Sequence, residues 1–175
     1  MKGETVRKIF QQELAEIGDD IASMAEKVAE AVKVAGAAFR DADVEGAEQV
    51  IDADNRIDEL EEGVERLCLS VLSRQAPVAT DLRLVVSAMR LSATLERMGD
   101  LARHIAFIAR EAFPNQPASG PMADLFVEMS SEAESITAKL AVLMDTHDLE
   151  LAEEIISDDD RLDAALDRSF ELLAD

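Results

Sequence analysis

The sequence has no Trp and no Tyr, one Cys, four Pro, and only 17 basic residues against 38 acidic ones. Each shortage excludes something. Cys68 standing alone leaves no intrachain disulfide framework and no thiolate metal cluster. Aromatic residues at 3% remove many of the bulky side chains that favour strands. A formal net charge of −21 disfavours a nucleic-acid partner, whose phosphates need a clustered positive surface. Adsorption to an anionic leaflet is disfavoured for the same electrostatic reason. No apolar run approaches the roughly 18 residues of a membrane span. The opening MKGETVRKIFQQEL carries acids and no apolar centre, so it is not read as a secretory signal and a cytoplasmic location is expected.

What remains is rich in helix formers. Hydrophobic residues make up 48% of the 175, enough for a folded core despite 31% charge. The acidic excess makes cations and basic protein surfaces natural partners, although solubility alone also accounts for it. The four prolines fall between periodic segments: Pro77 in SRQAPVATD, and Pro114, Pro117 and Pro121 in FPNQPASGPM. Five helices are predicted, a first that is broken at Asp41 to Gly46 and four more over about 44–74, 79–112, 121–145 and 148–174, and no segment sustains the period-two alternation of a strand. Phe10, Leu14, Ile17, Ile21, Met24, Val28, Ala31, Ala35 and Ala38 form a seam of 3.5-residue period in the first. Val50, Ala53, Ile57, Leu60, Val64, Leu67 and Val71 form the seam of the second. Leu84, Ala88, Leu91, Leu95, Met98, Ala102, Ile105 and Ala109 form that of the third.

The chain repeats itself. Residues 50–58 read VIDADNRID, and 105 positions later residues 155–163 read IISDDDRLD. The same shift aligns Met24 with Met129, Asp43 with Asp148 and Ala47 with Ala152. The reading is all-α, a tandem of three-helix bundles: a first repeat over 1–113, a linker over 114–120, and an incomplete second repeat over 121–175. By the shift, the last helix of the second bundle would fall past Asp175 and is expected to be absent from this chain. Helices four and five are then expected to expose Leu140, Leu143, Ile155 and Leu162 and to favour a dimer.

Acids four apart are common here by chance, roughly eight pairs for 38 acids. Two pairs stand out by position. Asp54 with Asp58 and Glu96 with Asp100 lie equally far from Pro77, so an antiparallel hairpin sets them at one level on facing helices. Four carboxylates there need neutralising. A bound cation would do it, and so would Arg56 and Arg97, which stand inside the two motifs. A solvated acidic flank is the plainer account. Any metal would have oxygen ligands and be a hard ion such as Mg, Ca, Mn or ferric iron. His104, one turn past Asp100, is read as a surface residue. His-ligated di-iron or zinc chemistry lacks its motifs. No nucleophile constellation or phosphate loop appears, and Cys68 is expected to be buried as a small apolar residue.

The stretch PVATDLRLVVSAMRLSATLERMGDLARHIAFIA resembles the signature of the PhoU family of phosphate-signalling regulators: a proline, then DLR, then L-E-R-x-G-D. The F-x-x-E-L of the first helix and the D-x-x-x-D of the second are similar to that family too. The resemblance implies two three-helix bundles related by a pseudo-twofold axis. It implies E/D-x-x-x-D metal sites at Asp54, Asp58, Glu96 and Asp100, and at Asp159 and Asp163 of the second repeat. The metal would be iron, manganese, magnesium or zinc. It implies a non-enzymatic adaptor between the PstB-like ATPase of a phosphate ABC transporter and a PhoR-like sensor histidine kinase. Such an adaptor represses uptake and the phosphate-starvation regulon, sits peripheral to the inner membrane through its partners, and is expected as a homodimer. Asp81, Arg83 and Arg97 are the partner-binding candidates, although Thr80 and Asp81 also suit a helix N-terminus. The alternative is a structural helical bundle without metal or signalling role.

Overall fold

The computed structural model describes residues 2–75 and 77–174. Five helices account for them: α1 (Lys2–Asp41), α2 (Val44–Gln75), α3 (Ala79–Ala112), α4 (Pro121–Thr146) and α5 (Leu149–Ala174). No strand occurs among the described residues. Their ends follow local chemistry. Ala42 turns left-handed at φ 52, and the Asp43 carboxylate then accepts the Gly46 N–H at 3.1 Å to start α2. The same turn recurs 105 residues on. His147 is left-handed at φ 55 and closes α4 through its N–H to the Leu143 carbonyl. Asp148 then accepts the Glu150 N–H at 2.9 Å and starts α5. The repeat legible in the letters is thus repeated in backbone geometry.

Helices α1, α2 and α3 pack on one another pairwise, α4 packs across α1, and α5 packs on α4 alone. The three-helix unit has two cores of different grain. Toward the α2–α3 turn lie Ile17, Met24 and Val28 of α1, Ile57, Val64 and Val71 of α2, and Val85 and Leu95 of α3. Each such side chain, fully buried, contributes about 1.5–3 kcal/mol. At the other end the core is almost all alanine: Ala35, Ala38, Ala47, Ala102, Ala106 and Ala109, with Val50. Small side chains there let the three backbones draw close.

Helix α4 runs antiparallel to α1. Phe39 meets Phe126 edge to face at 5.3 Å, a Cβ on Gly36 would collide with Ser130, and Leu140 and Met144 reach the larger core. Leu140, Leu143, Ile155 and Leu162 are therefore half-buried, not open. Leu140 is covered because α4 packs on α1 and reaches the larger core. The most exposed apolar side chains of this half are instead Leu149, Ile156, Phe170 and Leu173.

The seams hold with two shifts. In α3 Leu84 and Ile105 are 49% and 39% exposed, and Val85 and Ala106 take the core positions. In α2 Ala53 is exposed and Asp54 replaces it inside at 4% exposure. α3 is turned by a fraction of a residue from the most apolar solution, whereas α2 keeps Val50, Ile57, Leu60, Val64 and Val71 inside and departs from its seam only locally. The facing positions are small: Ser92, Gly99, Ala102 and Ala106 line the buried stripe of α3. Close approach of α2 and α3 outweighs the burial of two larger side chains.

Candidate functional site

Asp54 sits where the two cores meet, one turn after Val50 and one before Ile57. Gly99 makes the room opposite. A Cβ there would lie 2.9 Å from Ile57 Cδ1 and 3.4 Å from Asp54 Oδ1. Asp58, one turn on along α2, and Glu96 and Asp100 of α3 are half-buried around it. The hairpin therefore brings together the four acids that the spacing placed at one level.

Their charges are coupled. Burial pushes the Asp54 carboxyl above its ordinary range; Arg103 opposes this, and Asp58 and Asp100 add to it. Burial also raises Glu96, reinforced by Asp100, Asp58 and Glu61. Glu61 is raised by burial and by Glu65, Glu62 and Asp58. It belongs to the cluster although no motif marked it. Its position, one turn past Asp58 and two past Asp54, was the available signal.

The base in the cluster is Arg103, not the two arginines inside the motifs. Arg103 Nε lies 2.9 Å from Asp54 Oδ2, and its Nη2 donates to Asp100. Arg56 instead reaches outward to Glu59 at 2.7 Å, and Arg97 is exposed. The reason is helical register: Arg103 is three residues past Asp100 and seven past Glu96, on their face, whereas Arg97 points a quarter-turn away. His104 is exposed, as expected.

The second set of acids is arranged differently. Asp159 and Asp163 are exposed on α5. Their neighbour Asp158 is the buried acid, held by Lys139 Nζ at 2.9 Å and Arg161 Nη2 at 2.6 Å, with Glu154 and Glu132 completing the network. The 105-residue shift carries Asp54 onto Asp159, but α5 packs on α4 alone and turns Asp158 inward. Of the remaining candidates, Asp81 and Arg83 are exposed in the first turn of α3. Thr80 does not cap that helix: Val78 holds the cap position without a side-chain bond, and the Thr80 hydroxyl accepts weakly from Arg83 at 3.4 Å. Cys68 is buried, as expected.

The residues suit a hard cation in donor chemistry. They offer carboxylate oxygens only, and Asp54 Oδ2 is buried with no hydrogen-bond partner. Among the described residues no three acid, histidine or cysteine side chains converge tightly enough to enclose an ion. Arg103 lies between two of the donors.

These features define a class: an all-α repeat protein built from helical bundles, with a carboxylate cluster between two helices of the first. Residues 21–109 match the family described as the PhoU domain. The chain is 33% identical over 170 residues to the phosphate-specific transport system accessory protein PhoU homolog 2 of Mycobacterium tuberculosis, covering 97% of this chain and 80% of that protein. It is 31% identical to the PhoU homolog of Synechocystis, covering 96% and 74%. The crystal structure of the phosphate transport system regulatory protein PhoU from Streptococcus pneumoniae superposes with a TM-score of 0.75 at 29% identity, over 89% of this chain and 72% of that one. The chain belongs to the PhoU family.

Proposed function

We propose that this protein is a non-enzymatic regulator of phosphate homeostasis. In this reading it restrains a phosphate ABC transporter and keeps the phosphate-starvation response off while phosphate is plentiful. It would do so by contacting a PstB-like ATPase and a PhoR-like sensor kinase in the cytoplasm, at the inner membrane through those partners. The observation that carries the reading is the match along 97% of the chain to a phosphate-specific transport system accessory protein. That no described helix is long and apolar enough to cross a membrane fits attachment through partners. Exposed Asp81, Arg83 and Arg97 on α3 are the polar contacts proposed for them, and the exposed apolar side chains of α5 suit a homodimer.

Asp54, Asp58, Glu96 and Asp100 would hold a metal ion through oxygen: iron, manganese, magnesium or zinc. A cation held there would offset the negative charge that the four carboxylates concentrate between α2 and α3. Asp159 and Asp163, exposed on α5, are the corresponding carboxylates proposed for the second repeat. The alternative, a bundle with neither metal nor signalling role, draws on the pairing of Arg103 with Asp54 and Asp100, which already offsets part of the charge.

The test is alkaline phosphatase activity in phosphate-rich medium after deleting the gene in its own organism. Activity that rises and falls again on complementation supports the regulator. Unchanged activity in a strain with no second copy favours the structural bundle. Complementation by a variant carrying D54N, D58N, E96Q and D100N would remove the metal from the mechanism. A clean failure to co-purify with both partners would count against the adaptor role.

A further inference from the structure

Helices α3 and α5 each leave an apolar row uncovered. On α3, Leu84, Leu91, Leu101, Ile105 and Ile108 lie half-buried or exposed along one edge of the helix. On α5, Leu149, Ile156, Leu166, Phe170 and Leu173 are exposed beside the face that meets α4. A shift of 65 residues carries each member of the first row onto a member of the second. Both rows fit the steps of three and four of a helix-pairing seam, and each spans about 36 Å at 1.5 Å per residue. Charge follows the same spacing. Arg83, Arg90 and Arg97 stand seven apart beside the α3 row, all exposed. None is in an ion pair among the described residues, and Arg83 has only its weak contact with the Thr80 hydroxyl. Helix α3 holds five arginines against four acids, in a chain of 17 bases and 38 acids. Beside the α5 row stand Glu153, Asp160 and Asp167, also seven apart, exposed and outside any ion pair among the described residues. The bases of α5 are taken elsewhere: Arg161 by Asp158 and Glu132, Arg168 by Glu128.

We infer that α3 of one copy covers α5 of a second copy, the two helices parallel, in a closed dimer. This rests on the homodimer reading given above and says which faces meet. In a parallel pair the 65-residue register sets the two apolar rows against each other. It also sets Arg83 against Glu153, Arg90 against Asp160 and Arg97 against Asp167, the flanking positions that choose partner and direction in paired helices. An antiparallel pair would turn the arginines toward half-buried Ile155 and Leu162 instead, so charge selects the direction. Asp159 and Asp163, which interrupt the α5 row, fall opposite Thr94 and Met98, within a turn of Arg90 and Arg97. No chain can do this for itself, because α5 packs on α4 alone. Since α4 runs antiparallel to α1 and α5 returns along α4, α3 and α5 point the same way within one chain. A twofold axis along the helices then satisfies both contacts, each chain's α3 on the other's α5, and closes the dimer. Two chains of charge −21 repel at a distance, and the arginine row is the local exception that lets them meet. The consequence is competition. The dimer buries Arg83 and Arg97, the contacts proposed above for the ATPase and the kinase, so the adaptor form is the dissociated chain.

The experiment is sedimentation velocity on the full chain at low salt, for the native protein, the triple variant R83E/R90E/R97E, the triple variant E153K/D160K/D167K, and the two sets combined. The expected result is a native dimer, association about a hundredfold weaker in each triple variant, and recovery in the combination. General repulsion cannot produce both losses, because the first variant makes the chain more acidic and the second less. All six positions are exposed, and circular dichroism checks that each variant stays helical. Direction is read from disulfide cross-links between copies: a chain carrying L84C should link to one carrying L149C and not to one carrying L173C. Linkage to L173C alone would overturn the parallel pairing. A dimer indifferent to both triple variants would overturn the inference and leave the homodimer to another face. A native chain that stays monomeric at high concentration would bring down the homodimer reading and this inference with it.

Discussion

Arg103 Nε and Asp54 Oδ2 face each other at 2.9 Å across the α2–α3 interface, yet neither makes a hydrogen bond. The pair is a Coulombic contact at the junction of two cores, and it stabilises less than its distance suggests. Replacing Asp54 by Ala would leave a buried guanidinium nitrogen uncompensated. The acids around the pair carry the repulsion it does not cancel.

Relief of that repulsion gives the first prediction. Glu96 is half-buried among Asp58, Glu61 and Asp100, all of its own sign. E96Q removes one charge and keeps the shape, so the metal-free protein should gain about 0.5 kcal/mol, the scale of a partly exposed charge interaction. The gain should shrink at high salt. Urea midpoints at low and high ionic strength check this. The same variant should bind Mn²⁺ more weakly, which separates an acid kept for function from one kept for folding.

A second prediction concerns the rotation of α3. Leu95 is fully buried and Leu84 is half-exposed, although both lie on the expected seam of α3. L95A should cost about 3 kcal/mol through lost transfer energy and a residual cavity. L84A should stay within about 0.5 kcal/mol. Chemical denaturation of the two variants decides; equal losses would mean that α3 is turned as its largest apolar residues suggest.

Helix boundaries were legible because Pro, Asp and Gly stand at the ends and because a 3.5-residue seam runs through each long segment. The carboxylate level was legible because an antiparallel hairpin about Pro77 makes register a matter of counting. What could not be read was rotation. Periodicity ranks side chains by apolarity, so it put Ala53 and Ile105 inside and missed Asp54 and Gly99, which face each other because small residues let two backbones approach. Arg103 escaped for a related reason. Arg56 and Arg97 stood inside the motifs, but a base within a motif points off the face its acids share.

Cys68 provides a test of the interior. It is fully buried, its Sγ approaches the Val85 carbonyl at 3.8 Å, and burial pushes the thiol above its ordinary range. The thiolate, which is the reactive form, is scarce and shielded. Ellman's reagent should therefore react with the native protein only as fast as it opens, and at once in denaturant. Rapid labelling under native conditions would show that α2 and α3 separate readily at this level.

Asp158 sets the acid limb of stability. Its carboxyl lies below the ordinary range because Lys139 donates to it and Arg161 adds to the field. Those two bases, with Glu154 and Glu132 beside them, are the charged groups that face it from α4 and α5. A carboxyl depressed in the folded state contributes stability that is fully present above its unfolded pKa and is lost as pH falls through the folded one. Glu61, raised by burial, acts with the opposite sign: folding gains as it takes up a proton on the way down from neutral pH. The native protein should hold or gain stability as pH first drops and then lose it steeply in the acid range. D158N has no charge to lose there. Its urea midpoint should be lower than native at pH 7, and the two curves should converge as the pH falls below the carboxylate range. Parallel curves down to pH 3 would mean that the Lys139–Asp158–Arg161 network does not hold α5 to α4.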